Sequence, residues 1–252
     1  MDDSENIDEF ASPERTLEQF AFQFGRTYDS YLATEEGLTQ FWSSNKSGVL
    51  SYARIGRYLH VQGGLLCAPA DRECLLQEFQ AFARQNHYCV TFYNVVEEDI
   101  PLFRQSEFQV TKWGEEPMLD LAHLTWAGGE FEWVRRQFNY CHRQNVSLLE
   151  CHRENCSQAE WDMVLDSIRE VAAEGLKSKP QRHEIWFFNG RFDPVDWGRR
   201  RLFLARSDHG NGQIEGFLVC IPFENGSHWA VETYRHRLDA PRGLVAFMIH
   251  QC

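Results

Sequence analysis

Near its C-terminal end the chain crowds chemistry-bearing residues into twelve positions: Glu232, Tyr234, Arg235, Arg237, Asp239, Arg242 and Gly243. The stretch reads as a strand, His228 to Arg235, then a loop, Leu238 to Gly243, then a helix opening at Leu244. Free N–H groups and the helix dipole at such a junction suit a phosphate. Arg235, Arg237 and Arg242 add full positive charges. Strand alternation puts Glu232 and Tyr234 on one face. If that face lines a cleft, Glu232 is the first candidate to bind an ammonium group or take a proton, and Asp239 the second. A polar loop with solvated arginines would look the same.

Other constellations are weaker. Arg135, Asn139 and Arg143 recur every four residues on an expected helix, Glu130 to Gln144, so they share a face that suits either RNA backbone or plain solvent. Glu115 and Glu116 stand on a turn, where paired carboxylates can hold an ammonium group, order an arginine, or simply be polar. Arg191 and Phe192 follow the aromatic run Trp186-Phe187-Phe188 and read as a lid over a cleft or as a core edge. The eight cysteines contain no C-x-x-C pair. The grouping Cys141-His142, Cys151-His152 and Cys156 matches no ordinary zinc spacing, so reduced thiols and no metal site are expected.

The elements that must position these residues follow from the pattern. Expected helices are Thr16 to Gly25, Glu35 to Ser43, Asp71 to Asn86, Asp99 to Gln105, Glu130 to Gln144 and Gln158 to Glu174. A hairpin is expected at Val49 to Gln62, then a loop from Gly63 to Pro69. Strands are expected at Tyr88 to Tyr93, Phe108 to Trp113, Pro117 to Leu121, Arg201 to Arg206, Ile214 to Ile221 and His228 to Arg235. Hairpin, loop, helix and strand recur in the same order, so the chain reads as two copies of one α/β unit. The units are placed at 15–125 and 126–252, behind a disordered acidic tail at 1–14. The second copy stops after the first turns of its helix and is expected to be incomplete.

The net charge of −12 is uneven: residues 1–130 hold 9 Lys+Arg against 21 Asp+Glu, and residues 131–252 hold 16 against 16. Any RNA contact therefore belongs on the second half, whose cations are nearly all arginine. No run of about 18 apolar residues is present, and the acidic N-terminus is no secretory signal, so a cytoplasmic protein is expected, with any membrane contact peripheral.

Four stretches carry a family resemblance. They are Phe108-Gln-Val-Thr-Lys-Trp-Gly-Glu-Glu-Pro-Met-Leu-Asp-Leu, the basic helix from Val134 to Leu148, Glu184-Ile-Trp-Phe-Phe-Asn-Gly-Arg-Phe-Asp-Pro with Phe203-Leu-Ala-Arg and Gly216-Phe-Leu, and Trp229 to Ile249. In this order they resemble the C-terminal domain family of phosphatidylglycerol lysyltransferases, also called multiple peptide resistance factors. The resemblance implies two tandem acetyltransferase-like (GNAT) lobes with mixed sheets. It implies an enzyme that moves an amino acid, lysine or similar, from aminoacyl-tRNA to the hydroxyl of a lipid such as phosphatidylglycerol. No cofactor is implied beyond aminoacyl-tRNA as co-substrate. The sequence departs from the family at Gly63-Gly64-Leu65, where an acidic residue is common, and at Glu232 and Tyr234, where Asp and Met are common. A GNAT acyltransferase using acyl-CoA, or a non-catalytic tRNA-binding relative, are the alternatives. The pyrophosphate signature of the former is missing from Arg242-Gly-Leu-Val-Ala.

Overall fold

The computed structural model describes residues 16–177, 197–207 and 212–252. It contains two four-stranded sheets with helices on their faces, an α/β architecture. The first sheet comprises β1 (Thr39–Trp42), β2 (Gly48–Ile55), β3 (Tyr58–Cys67) and β4 (Cys89–Phe92), in that spatial order. The second comprises β5 (Val146–Cys151), β6 (Arg201–Ser207), β7 (Gln213–Phe223) and β8 (His228–His236), also in chain order. All neighbours are antiparallel except β3 and β4, which are parallel and joined through helix α2 (Arg72–Gln85). Each sheet thus holds an antiparallel meander followed by a helix, β1-β2-β3-α2 and β6-β7-β8-α6, where α6 is Leu244–Gln251.

Helix α1 (Leu17–Phe24) starts at a capping box in which Thr16 and Gln19 satisfy each other's backbone N–H groups. With the 3₁₀ turn Ser30–Thr34 it sets Phe20, Ala21, Tyr31, Leu32 and Ala33 against Val49 and Leu66 of the first sheet and Ile221 of β7. One apolar core therefore reaches both sheets, and each large side chain buried there contributes roughly 1.5–3 kcal/mol. Helices α2 and α3 (Ile100–Gln105) cover the opposite face of the first sheet through Leu75, Leu76, Phe79 and Phe103. The second sheet lies between α5 (Gln158–Lys177) on one face and α4 (Glu132–Arg143) with α6 on the other.

Several expected elements differ. Residues Glu35 to Ser43 are not a helix: Thr39–Trp42 is strand β1, whose Thr-Gln-Phe-Trp sequence favours a pleated edge against Tyr52, Ser51, Leu50 and Val49. Strand β3 does not stop at Gln62 but continues through Gly63 and Gly64 to Cys67, with three of its residues opposing one of β2. Gly63 has φ +79°, and a Cβ there would sit 2.7 Å from the Ser30 carbonyl oxygen, so glycine is what permits the bulge to touch the turn. The strands expected at Phe108 to Trp113 and Pro117 to Leu121 do not form; that segment is irregular and nearly all exposed. No neighbouring strand pairs with it among the described residues, and an unpaired segment gains nothing from extending. Strand β5 was not among the expected elements.

Candidate active site at the junction of the two sheets

Strand β8 carries the central feature. Val219 of β7 pairs with Thr233, while the next residue, Cys220, pairs with Val231, so Glu232 is an extra residue forming a β-bulge. The bulge breaks the alternation that would have put Glu232 and Tyr234 side by side. Tyr234 is 45% exposed, whereas the Glu232 side chain is 0% exposed.

What Glu232 meets comes from elsewhere in the chain. Arg200, just ahead of β6, places Nε 3.2 Å from Glu232 Oε2 and Nη2 2.6 Å from Glu35 Oε1. Glu35 follows the 3₁₀ turn of the first half, so the ion pairs cross the junction. Arg200 and Glu35 side chains are 2% and 3% exposed. The Arg200 guanidinium also lies 5.1 Å from the Tyr31 ring centroid. One buried cation thus serves two carboxylates, and Glu232 Oε1 accepts no hydrogen bond among the described residues. Burial pushes the Glu232 carboxyl up to about 7 despite the opposing pull of Arg200, and the charge of Glu35 adds to the rise.

Arg200 also lines a half-open cleft of about 260 Å³ with Glu150, His152, Arg153, Trp161, Trp197 and Arg201. Arg201 grips Glu150 through two hydrogen bonds of 2.6 and 2.8 Å, which hold that carboxyl below its ordinary range. The Tyr31 hydroxyl accepts from the Arg199 backbone N–H at 2.8 Å and donates to Glu18 at 2.5 Å, tying the segment to the first half.

The expected phosphate loop is not an open cradle. Arg237 is spent on Glu174 (3.2 Å), Glu170 (3.3 Å) and the Ile214 carbonyl (2.9 Å). Arg235 is buried, donates to the Tyr234 carbonyl and packs beside Gly175 of α5. Gly243, φ +81°, opens α6, but a Cβ there would fall 2.4 Å from Gln137 Oε1: the buried Gln137 of α4 covers the helix start. Arg242 and Asp239 are exposed, and Asp239 acts on the Glu215 carboxyl and not on Glu232.

The remaining candidates are scattered. Arg135 donates to the carbonyls of Trp126 and Gly128 at 2.6 and 2.8 Å, so it leaves the face shared by exposed Asn139 and Arg143. Glu115 is exposed and pairs with Lys112. Partial burial and then the charge of Asp29 raise the Glu116 carboxyl. Arg191 and Phe192 lie outside the described residues. The Cys141-Cys151-Cys156 grouping is split: Cys141 is buried on α4, Cys151 and Cys156 stand 4.0 Å apart, and no metal-type cluster occurs among the described residues. Sequence reasoning missed Arg200, Glu35 and the fully buried Asp29. One signal was available: three successive arginines, 199 to 201, leading into an apolar strand must each find a partner.

Two sheets joined around a buried arginine and two glutamates define an α/β protein whose polar centre is assembled by both halves. Residues 19–252 match the family described as "Phosphatidylglycerol lysyltransferase, C-terminal", and the chain belongs to that family. It is 27% identical over 239 residues to the phosphatidylglycerol lysyltransferase of Bacillus subtilis, covering 95% of this chain and 27% of that protein. It is 28% identical over 219 residues to the one of Staphylococcus aureus strain MRSA252, covering 87% and 24%. The chain therefore spans about a quarter of these curated relatives. The fold is shared with L-PGS from Bacillus licheniformis (TM-score 0.76, 23% identity, 93% of this chain and 69% of that one). It is also shared with the C-terminal domain (DUF2156) of a putative lysylphosphatidylglycerol synthetase from Agrobacterium fabrum (TM-score 0.71, 19% identity, 84% and 64%). No described helix is long and apolar enough to cross a membrane.

Proposed function

We propose that this chain is the catalytic part of an aminoacyltransferase that moves lysine, or a similar amino acid, from aminoacyl-tRNA to a hydroxyl of phosphatidylglycerol. The membership of the family, whose curated relatives bear the name phosphatidylglycerol lysyltransferase, supports the lipid and the lysyl group. The tRNA donor, the tandem GNAT-like arrangement and peripheral membrane contact are part of the same reading.

The observation that carries the chemistry is the bulged Glu232 with one free oxygen and a carboxyl near neutrality. An aminoacyl ester is already activated, so the enzyme must position two substrates and route one proton. The lipid hydroxyl attacks the ester carbonyl and its proton passes to the Glu232 carboxylate. The tetrahedral intermediate then collapses, the bond to the RNA ribose oxygen breaks, and that oxygen takes the proton back. Arg200 holds Glu232 in place through Oε2 and leaves Oε1 for this traffic. Substrate binding has to open the junction, because the side chain is fully covered. Acyl-CoA is a poorer fit, because the helix start that would take a pyrophosphate is occupied by Gln137.

The test is incubation of the chain with lysyl-tRNA and phosphatidylglycerol vesicles, followed by chromatography of the lipid. Lysylated lipid is expected. Its absence with every charged tRNA and acceptor tried, while the protein is folded, would reject the reading.

A further inference from the structure

The cleft beside Arg200 combines two features that the transfer reaction leaves unused. Trp161 and Trp197 meet edge to face, centroids 5.3 Å apart at 82°, with Trp197 partly exposed on the wall of the cleft. Arg153 lies 5.7 Å from the Trp161 ring centroid. It donates only to neutral acceptors, the Cys156 carbonyl at 3.0 Å and Gln158 Oε1 at 2.5 Å. The other arginines of the cleft are neutralised: Arg199 by Glu18, Arg200 by Glu35 and Glu232, and Arg201 by Glu150. Arg153 alone keeps its charge free of a carboxylate among the described residues. It stands ahead of α5, whose N-terminus is already met by the Glu160 carboxylate, which accepts from Ser157 N–H and Oγ at 2.8 and 2.7 Å, so the free charge at this end of the cleft is that of Arg153. Glu154, the nearest acidic side chain in sequence, also lines the cleft; it is 76% exposed and lies 3.8 Å from His152 Nδ1, not against Arg153.

We infer that this cleft is a binding site for one nucleotide unit, with the base against Trp197 and the 5′-phosphate at Arg153. Aromatic faces and an arginine that has no carboxylate partner are what a base and a phosphate require. The cleft lies just under the ~300–1,000 Å³ range of small-molecule sites, which suits a single nucleoside and not a dinucleotide coenzyme. Arg200 forms the inner wall, so the ribose would face the Arg200–Glu232 pair. This assignment rests on the proposed transfer for the statement that the unit is the terminal adenosine of an RNA. A free adenine nucleotide presents the same chemistry.

Binding is measured on the whole chain without lipid, by quenching of tryptophan fluorescence and equilibrium dialysis. The probes are AMP, the trinucleotide CCA with a 5′-phosphate, and ribose 5-phosphate as the control without a base. The inference expects AMP and CCA to bind and ribose 5-phosphate, which lacks the base, to bind at least tenfold more weakly. Arg153→Gln should weaken AMP about tenfold and flatten its salt dependence without changing Tm. Trp197→Ala should weaken it by about tenfold through lost stacking. If Trp197→Ala does not fold, Arg153→Gln with Trp197→Phe decides. Binding of CCA tighter than AMP assigns the site to an RNA end, and AMP tighter than CCA assigns it to a free nucleotide. No binding of either at millimolar concentration, or unchanged affinity in Arg153→Gln, overturns the inference. Nucleotide binding without lipid product would fault the transfer reading alone. Lipid product with an unaltered KM for tRNA in Arg153→Gln would fault the cleft alone.

Discussion

Replacing Glu232 by glutamine should change how stability depends on pH. In the folded protein this carboxyl is raised from 4.5 to about 7, chiefly by burial. The folded state therefore holds the proton more tightly than the unfolded chain. The stabilisation is complete below the unfolded value and is lost as pH rises through about 7. Each tenfold difference in proton affinity is worth about 1.4 kcal/mol, so the loss between pH 5 and pH 8 amounts to roughly 3 kcal/mol at most. Glu232→Gln keeps the shape and an oxygen for Arg200 but does not titrate. Urea unfolding of both proteins at pH 5, 6, 7 and 8 gives the comparison. The wild type should lose more stability over this range than the variant, by up to about 3 kcal/mol. Asp29 and Glu215 are also raised by burial, but they titrate equally in both proteins and cancel. Parallel stability curves would show that Glu232 is not the buried, proton-binding carboxyl described here.

Arg200→Met leaves Glu35 and Glu232 buried without their cation; a loss of about 3–5 kcal/mol is expected at pH 8, partly recovered at pH 5, by chemical denaturation. Tyr31→Phe removes the hydroxyl between Glu18 and the Arg199 N–H and should cost about 1–3 kcal/mol, read as a lower denaturation midpoint. Gly243→Ala forces a side chain into φ +81° and onto Gln137, at an expected cost of about 1–3 kcal/mol; Gln137→Ala in the same chain should relieve the contact but not the backbone strain.

Legibility followed the physics of each signal. The long amphipathic helices α2, α4 and α5 and the hairpin β2-β3 were plain, because burial imposes a period that the side chains must obey. Strand β1 was misread because its four residues are too short for a period and follow a segment with helical spacing. The segment 108–131 carries strand-like residues yet forms none, since pairing is decided by neighbours and not by composition. The site was half legible. Glu232 stood out as a carboxylate on β8, but the bulge that buries it depends on register with β7. Arg200 and Glu35 are 165 residues apart and meet only through the fold. Arginines 235 and 237 looked free in sequence, but Arg237 is consumed by Glu170 and Glu174 of α5, one turn apart, and Arg235 is buried and donates to the Tyr234 carbonyl.

The most direct test of the account is the rate of lysyl transfer from charged tRNA to phosphatidylglycerol, measured from pH 5.5 to 8.5 for the chain and for Glu232→Gln. The account predicts a rate that rises through about pH 7 as the carboxylate forms, and a fall of about 10²-fold or more in the variant with that rise abolished. A folded Glu232→Gln protein that transfers at the wild-type rate with the same pH profile would contradict it.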